Sequence, residues 1–480
     1  MASAGAGHWT TDATWQDMVS SLRSLPGGLR YAELCGGIGA PTFAIKALDI
    51  PAQLVGHWDI EQAYKIFLCK FCGDGDNVFV GEQGNVFTID TTMLATCHCI
   101  VSGPPCPPWS SLGQRAGDDD IRSRVFWAVC DHIINAARYG VLIFFVLENV
   151  PGLAHWTSGQ PSSETPLMGI VAYLEDRLGS GWSIDKAVMN TLDFGLPQRR
   201  KRLYITGRRN ASYPSGCPSP CPMFKQSGHS SDILDMSVGH IPSRVFTPIQ
   251  LANINDHKRL HRTFMITEAY RGKVAFVDHS RSPTDRTAWG NGGHNAIRNH
   301  VDICETLTAS GPAIYVFSLG EGMGLGRVFG HGPLTVDREL LGHERGALQG
   351  FPAEACRFFG DRRISRQAFG NAMSVPVVGM AIARELAALL HQNGSATLAK
   401  MFESGPSHRP GFHMHSVCVE ESDSEDNMDV EPDMVPWLAY VVYLVLVEWH
   451  SGYMYIGTLV VSVMLHVFSP GQRLPRRQYH

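Results

Sequence analysis

A single cysteine stands among four prolines in a loop that follows an apolar segment. The loop reads SGPPCPPWS over residues 102–110, and its cysteine is Cys106. Proline restricts the backbone, so this loop should present the thiol in a fixed direction. A partly exposed thiol that reaches its thiolate form is a nucleophile, and nucleophilic attack is the chemistry expected of Cys106. The loop alone leaves open the alternative of a buried cysteine in a rigid turn.

A carboxylate and a group of arginines could assist such a nucleophile. Glu148 ends the apolar segment VLIFFVLENV (141–150), where partial desolvation would raise its pKa and let it share a proton with a substrate nitrogen. Farther along, QRRKR (198–202) places basic donors directly before another apolar segment, RLYITG (202–207). The alternatives are a turn or capping acid for Glu148 and a solvated basic edge for the arginines.

A glycine-rich turn indicates a second site. ELCGGIG (33–39) follows an apolar segment, and its glycines permit a tight turn and the close approach of a ligand to the backbone. Asp59 and Glu61 come about 20 residues later, where an acid can hold ribose hydroxyls in dinucleotide folds. The pattern is compatible with any nucleotide-like cofactor and also with a purely structural turn.

These residues need a scaffold, and the sequence predicts one in which strands alternate with helices. Strands are predicted over 29–35, 53–58, 98–103, 141–150 and 202–207, and helices over 40–48, 61–71, 123–139, 170–179 and 374–390. Such alternation predicts an α/β fold with a mostly parallel sheet, covered on both faces and binding ligands at the carboxyl ends of its strands. Residues 208–300 lose this rhythm, which predicts a smaller inserted lobe.

Composition and charge exclude several classes of protein. With 480 residues, 44% of them hydrophobic and 18% charged, the chain is neither wholly disordered, nor collagen-like, nor a small disulfide scaffold. The net charge of −5 would argue against a nucleic-acid partner, but it is an average over unlike parts. Residues 420–433 carry eight acidic and no basic residues, whereas residues 198–300 carry 16 basic and 6 acidic ones, which favours a polyanionic substrate.

The cysteines and the chain ends indicate the cellular compartment in which the protein is expected. The close pairs Cys69/Cys72, Cys97/Cys99 and Cys217/Cys221 do not form a convincing zinc pattern, so no metal is expected and free thiols are favoured. Free thiols and the absence of a signal peptide indicate an intracellular protein. Two apolar runs, 435–447 and 454–468, are compatible with a tail anchor that contacts a membrane, with a hydrophobic hairpin or with a gene-model artefact.

Six segments in order resemble the signatures of the cytosine-C5 DNA methyltransferases. They read ELCGGIGA, GPPCPPWS, LENVPGL, DFGLPQRRKRLYITGRR, LQGFP and GNAMSVPV, and they span residues 31–378. The resemblance implies a Rossmann-like, S-adenosylmethionine-dependent methyltransferase sheet domain with a smaller inserted target-recognition lobe. The expected parts are an N-terminal segment (1–29), a catalytic domain (30–207 and 331–392), the lobe (208–330), an acidic disordered linker (393–434) and the apolar tail (435–480).

The resemblance also implies roles for the reactive residues. Cys106 would attack C6 of a cytosine flipped out of the helix, and Glu148 would contact N3 and the exocyclic amine. Arg200 would support the flipped base or its phosphate, and Arg202 would hold backbone or structure. Gln198, Arg200 and Arg202 are the expected nucleic-acid-binding residues, with Cys106, Glu148, Arg200 and Arg202 as the catalytic set.

S-adenosylmethionine is the implied cofactor, and eleven residues are expected to bind it. They are Leu34, Cys35, Gly36, Gly37, Ile38, Gly39, Asp59, Glu61, Asn85, Pro105 and Asn371. The chain departs from the family pattern at several of these places. Pro107 stands where an amide is usual, Cys35 where an aromatic is usual, and Asn85 where an acid is usual, with Asp90 as the alternative acid.

The resemblance leaves the substrate open between DNA and tRNA. A DNA cytosine-C5 methyltransferase, monomeric and nuclear or otherwise intracellular, is the favoured prediction. The tRNA enzymes that share this fold typically carry a CFT motif, which this sequence lacks. A catalytically weak nucleic-acid-binding relative, which the apolar tail could tether to a membrane, is the third hypothesis. The altered cofactor positions support it, and the intact Cys106, Glu148 and Arg200 oppose it.

Overall fold

Seven of the strands form one mixed sheet. The computed structural model describes Ser20, Arg23 and residues 28–106, 123–154, 165–209, 230, 233–235, 246–264, 273–280, 282–283, 301–309, 314–319, 336–360 and 362–403. Its first eight strands are β1 (Leu29–Leu34), β2 (Ala52–Asp59), β3 (Val78–Val80), β4 (Cys99–Ser102), β5 (Phe144–Asn149), β6 (Trp182–Asn190), β7 (Gln198–Arg199) and β8 (Lys201–Arg209). The sheet has the order β3-β2-β1-β4-β5-β8-β6. Strands β1 to β5 run parallel, and β8 is antiparallel to both β5 and β6.

Helices cover both faces of this sheet, as the alternation predicts. The first five are α1 (Ala40–Ala47), α2 (Lys65–Phe71), α3 (Thr91–Leu94), α4 (Ser123–Tyr139) and α5 (Pro166–Leu178). One apolar core, on the face of α4 and α5, includes Phe126, Ile133, Ile170, Leu147 and Ile205. The core on the other face includes Phe43, Val146, Phe351, Val378 and Leu386. Burial on both faces explains why the central strands are continuous apolar runs. The α/β prediction is confirmed.

A smaller lobe follows β8, with its own sheet. It contains α6 (Pro248–Phe264), β9 (Val274–Asp278), β10 (Cys304–Glu305), β11 (Ile314–Ser318) and β12 (Asp337–Glu339). Strands β9, β11 and β12 are antiparallel, whereas β10 pairs with β7 and so joins the lobe to the part of the chain that forms the large sheet. Because β12 belongs to this sheet, the lobe extends beyond the predicted boundary at residue 330.

The chain then returns to the large sheet through four helices. They are α7 (Gly342–Leu348), α8 (Ala353–Phe358), α9 (Arg362–Asn371) and α10 (Val375–Glu403). Within the described residues, Arg363–Leu390 has the length and the mean hydropathy, 1.6, of a membrane span. However, 83% of this apolar window is buried inside the protein, as in an ordinary core helix.

The structure corrects several predicted boundaries. Helix α10 continues to Glu403, so the linker does not begin at residue 393. Helix α2 begins at Lys65 because Glu61 accepts a hydrogen bond from the Ala63 N–H and starts a short 3-10 turn. Strand β6 escapes prediction since it is an edge strand whose residues are mostly half-buried. The rest of the linker and the apolar tail lie outside the described residues.

A buried ion pair ties the lobe to the returning chain. The Arg338 guanidinium of β12 donates from Nη1 and Nη2 to the two carboxylate oxygens of Glu344 in α7, at 2.8 and 2.6 Å. Both side chains are almost fully buried. Glu344 also accepts the backbone N–H groups of Leu341 and Asp235, so its charge is well solvated by protein donors.

Replacing Glu344 by Ala should therefore destabilise the protein by about 3–5 kcal/mol, because the buried Arg338 cation would lose the carboxylate that accepts from both of its Nη atoms. Urea unfolding measures this loss. The double variant Arg338→Met/Glu344→Leu removes both charges and should recover much of it. A double variant no more stable than Glu344→Ala would contradict the explanation by a buried charge that has lost this carboxylate.

Candidate active site

Three neighbouring parallel strands end at one edge of the sheet, and the predicted reactive residues follow them. The glycine turn follows β1, the proline–cysteine loop follows β4, and Glu148 lies near the end of β5. The register pairs Leu34 with Ser102 and Ser102 with Leu147. The three segments therefore leave the sheet at the same level, and the structure brings together residues that are far apart in the sequence.

Cys106 is half-buried and faces groups of both charges. Burial raises the pKa of its thiol, and the Glu148 carboxylate raises it further, whereas Arg202 and Arg200 lower it. The sulfur is thus a thiol at neutral pH in the free protein. Thiolate formation depends on the nearby guanidinium groups, which stabilise the negative charge.

Glu148 is the acid at the centre of the site. Its carboxylate Oε1 lies 3.1 Å from Arg202 Nε. Burial raises its pKa, while Arg202 and then Arg200 lower it. A carboxyl group in this state can give a proton to a ring nitrogen and take it back. Next to it, the Asn149 Nδ2–H donates to the Pro104 carbonyl at 3.2 Å and holds the cysteine loop against β5.

Arg200 occupies a different place from the one expected for it. It is 2% exposed, and its guanidinium donates only to backbone carbonyls in the described structure: Leu307 O at 2.7 Å, Gly370 O at 3.2 Å and Ala372 O at 2.8 Å. Burial, with some help from Arg202, lowers its pKa to about 9. Arg200 is therefore a structural clamp, and Arg202 is the arginine that faces Glu148.

The register of β8 on β5 explains why Arg202, rather than Arg200, lies beside Glu148. Glu148 pairs with Tyr204 across the β5–β8 ladder, which makes Arg202 its diagonal neighbour on the same face. Arg200 lies two residues farther along, beyond the end of β5, where residues 304–309 and 370–372 cover it. Gln198, also expected at the nucleic acid, is fully buried as well.

Asp59, the last residue of β2, holds the glycine turn through hydrogen bonds. The Gly37 N–H donates to Asp59 Oδ2 at 2.7 Å, and the Glu61 N–H donates to Asp59 Oδ1 at 2.9 Å. Burial raises the pKa of Asp59, an effect that these N–H groups oppose. Gly39, at φ 76°, begins α1, and a Cβ there would overlap the Cys72 sulfur, so only glycine fits. Asp59 thus shapes the turn, in addition to any contact with a ligand.

Other expected cofactor residues divide into those that face the turn and those that do not. Cys35 and Gly36 lie in the turn, and Asn371 is exposed beside the Tyr64 hydroxyl. Glu61 accepts a hydrogen bond from Gln367 of α9 at 2.6 Å. Leu34 and Ile38 are fully buried in the apolar cores, so only their backbone can reach a ligand.

The two candidates for the missing acid both cap short helices. Asn85 Oδ1 accepts the Phe87 N–H at 3.1 Å, and Asp90 Oδ1 accepts the Thr92 N–H at 2.8 Å. Pro105 is half-buried directly before Cys106. Residues 107–122, which include Pro107, lie outside the described residues.

The turn fits an adenosyl cofactor. Gly37, at φ 58°, has no atom within 4 Å of the position of a Cβ, so open space lies over the turn. Asp59 of β2 accepts the Gly37 N–H at this turn, and the backbone of Gly103 faces Cys35, Met373 and Glu148. Among the described residues, no group of three or more potential metal ligands is present, and the nine described cysteines are free thiols.

Sequence reasoning missed several residues of this site. Asn149 and Met373 lie inside quoted motifs, so their motif membership was a usable signal. Ser102 likewise opens the quoted loop SGPPCPPWS. Tyr64 carried no signal, because its importance comes from Asn371, a neighbour that is distant in sequence.

Comparison with known proteins decides the family. The model of the family described as C-5 cytosine-specific DNA methylase matches residues 29–388, three quarters of the chain. The chain belongs to this family. Its members depend on S-adenosylmethionine, in agreement with the fit of the glycine turn. The family predicted from the six motifs is confirmed.

Individual relatives in the family are distant. The orphan methyltransferase M.SPRI of Bacillus phage SPR is 32% identical over 186 residues, which is 38% of this chain and 38% of the phage protein. The type II methyltransferase M.HpaII of Haemophilus parainfluenzae is 27% identical over 72% of this chain and 86% of its own length. Among solved structures, the Entamoeba histolytica methyltransferase EhMeth has 16% identity and a TM-score of 0.49, covering 75% of this chain and 98% of its own.

Replacing Arg200 by Met should lower the free energy of unfolding by roughly 3 kcal/mol or more, since three buried carbonyls would lose their donor. Urea denaturation measures the change. Arg202→Met is the matched comparison. Its loss of stability should be clearly smaller, because within the described structure the one backbone carbonyl that accepts from Arg202 is that of Lys201. Equal losses in the two variants would contradict the assignment of Arg200 as the clamp.

Arg202→Met should also make Cys106 less reactive at a given pH. The Arg202 cation lowers the thiol pKa, so its removal raises that pKa and leaves less thiolate at pH 8. The rate of Cys106 alkylation by iodoacetamide, followed by mass spectrometry, should fall roughly 3- to 10-fold, and its rise with pH should move to higher pH. Arg199→Met, which removes a neighbour paired with Glu305, should leave this rate unchanged.

Proposed function

We propose that this protein is a DNA (cytosine-5-)-methyltransferase that transfers a methyl group from S-adenosylmethionine to C5 of a flipped cytosine. The observation that carries the proposal is the convergence of Cys106, Glu148 and Arg202 beside an open glycine turn at one edge of the sheet. Membership of the DNA methylase family supports this choice of reaction. The name of the Haemophilus relative, a type II methyltransferase, is compatible with it.

Cytosine in a duplex is stacked and paired, so the base must leave the helix to reach a half-buried thiol. Water takes the proton of the Cys106 thiol, and the resulting thiolate adds to C6 and forms a sulfur–carbon bond. At the same time Glu148 gives its proton to N3, which keeps negative charge from building up on the ring. Arg202 compensates the carboxylate that this transfer leaves behind.

Addition at C6 leaves C5 as an enamine-like carbon that can accept a methyl group. The glycine turn, Asp59 and Asn371 would hold S-adenosylmethionine, which would supply that group in electrophilic form and leave as S-adenosylhomocysteine. The C5 proton then passes to water, its electron pair restores the C5–C6 double bond, and Cys106 leaves. Glu148 recovers its proton from N3 and the Cys106 thiolate takes a proton from water, so the protein returns to its starting state.

Methyl transfer from labelled S-adenosylmethionine tests this proposal. We expect label on duplex DNA with the wild type, and a loss of at least about 10³-fold with Cys106→Ala, since the covalent route is removed. A duplex that contains 5-fluorocytosine should trap a covalent adduct with the wild type and none with the variant. The same labelled S-adenosylmethionine is incubated in parallel with tRNA, and label on the tRNA is measured.

Three results would overturn parts of the proposal. Label on tRNA alone would replace DNA by RNA as the substrate. Cofactor binding without transfer to either nucleic acid would indicate a binding protein with a degenerate site. Full activity of Cys106→Ala would exclude this nucleophile.

A further inference from the structure

Tyr204 has a buried hydroxyl group that forms no hydrogen bond within the described structure. The residue is 1% exposed, and its hydroxyl has no hydrogen-bond partner among the described residues. A buried polar group without a partner destabilises a folded protein, whereas phenylalanine would fill the same space without that cost. A tyrosine at this position therefore requires an explanation other than stability.

The neighbours of Tyr204 connect it to the acid of the active site. Tyr204 is the cross-strand partner of Glu148 on one side and of Ala187 on the other. Directly paired residues project from the same face of a sheet, so the phenol and the carboxyl group lie on the side that faces α10. Burial and the Glu148 charge raise the pKa of Tyr204, which therefore stays a neutral hydroxyl that both donates and accepts.

A small cavity lies beside Tyr204, away from the glycine turn. Its volume is about 10 Å³, close to the smallest space that holds one water molecule. Polar groups from three elements line it: Lys186 of β6, Thr206 of β8, and Arg384 and Glu385 of α10. Lys186 is exposed and so brings the cavity to the surface, while Glu385 is buried and paired with Arg208 at 3.1 Å.

Glu148 must carry a proton when the base is bound if it is to protonate N3, and Arg202 and Arg200 favour its charged form, so the carboxylate has to take up a proton before the addition step. Glu148 is 8% exposed, and it faces the cysteine loop on the side where a base would bind. A bound cytosine would cover this side and separate the carboxyl group from solvent. Proton exchange would then have to pass behind Glu148, through the layer between the sheet and α10.

We propose that Tyr204 and the water-sized cavity beside it form a proton path between Glu148 and solvent. In each transfer toward the site, the Tyr204 hydroxyl gives its proton to the Glu148 carboxylate through intervening water and receives one from water in the cavity. The phenol is unchanged, and the net movement is one proton from solvent to the carboxylate. Tyr204 acts on the reaction through Glu148. This role rests on the methyltransferase function proposed above.

Tyr204→Phe tests the path because it removes one oxygen and keeps the ring. The single-turnover rate of methyl transfer to duplex DNA should fall roughly tenfold. The solvent deuterium isotope effect on this rate should increase, because proton delivery to Glu148 becomes slower. The midpoint of urea unfolding should stay the same or rise, since the lost hydroxyl has no protein partner. Thr206→Val, on the cavity wall, should change the rate in the same direction.

Tyr173→Phe is the matched control. Its hydroxyl donates to Asp131 at 2.6 Å between α4 and α5, on the opposite face of the sheet, so its loss should leave the rate and the isotope effect unchanged. An active wild type with an equally fast Tyr204→Phe variant and an unaltered isotope effect would overturn the path while the methyltransferase function stands. A wild type without methyl transfer would overturn both.

Discussion

The burial of one guanidinium group sets the geometry of this protein. Arg200 stands at the junction of β7 and β8, and it binds carbonyls of the segment that follows β10 and of the segment that joins α9 to α10. A fully buried cation needs all of these acceptors, because water cannot replace them. Three parts of the chain are thereby held around one centre. The clamp holds the residue directly before β8, the strand that carries Arg202 beside Glu148.

The site then balances two opposite electrostatic effects. Burial raises the pKa of both Cys106 and Glu148, so both groups favour their neutral forms. Arg202 and Arg200 favour the charged forms and partly offset this effect. The result is a thiol and a carboxyl group that can change protonation state during a reaction, which neither a fully exposed pair nor a fully buried pair without cations would do.

Much of the scaffold could be predicted from local pattern. The helix Ser123–Tyr139 and the central strands follow from apolar periodicity, and the ends of parallel strands had to share an edge. Other features depend on partners that no local pattern identifies. Strand β6 is an edge strand with mixed burial, Glu61 has its partner Gln367 far along the chain, and β12 joins the lobe only by pairing with β11.

The sequence by itself determined the family, the α/β class and the identity of the reactive residues, because these depend on residue types, their order and short spacings. It did not determine which arginine serves Glu148. Arg200 and Arg202 carry the same functional group, and their spacing of two places them on the same side of an extended chain. Only the register of β8 on β5 decides which of them lies beside Glu148. That register results from packing between segments distant in the chain, so the tertiary structure alone decided which guanidinium is a clamp and which one faces the active site.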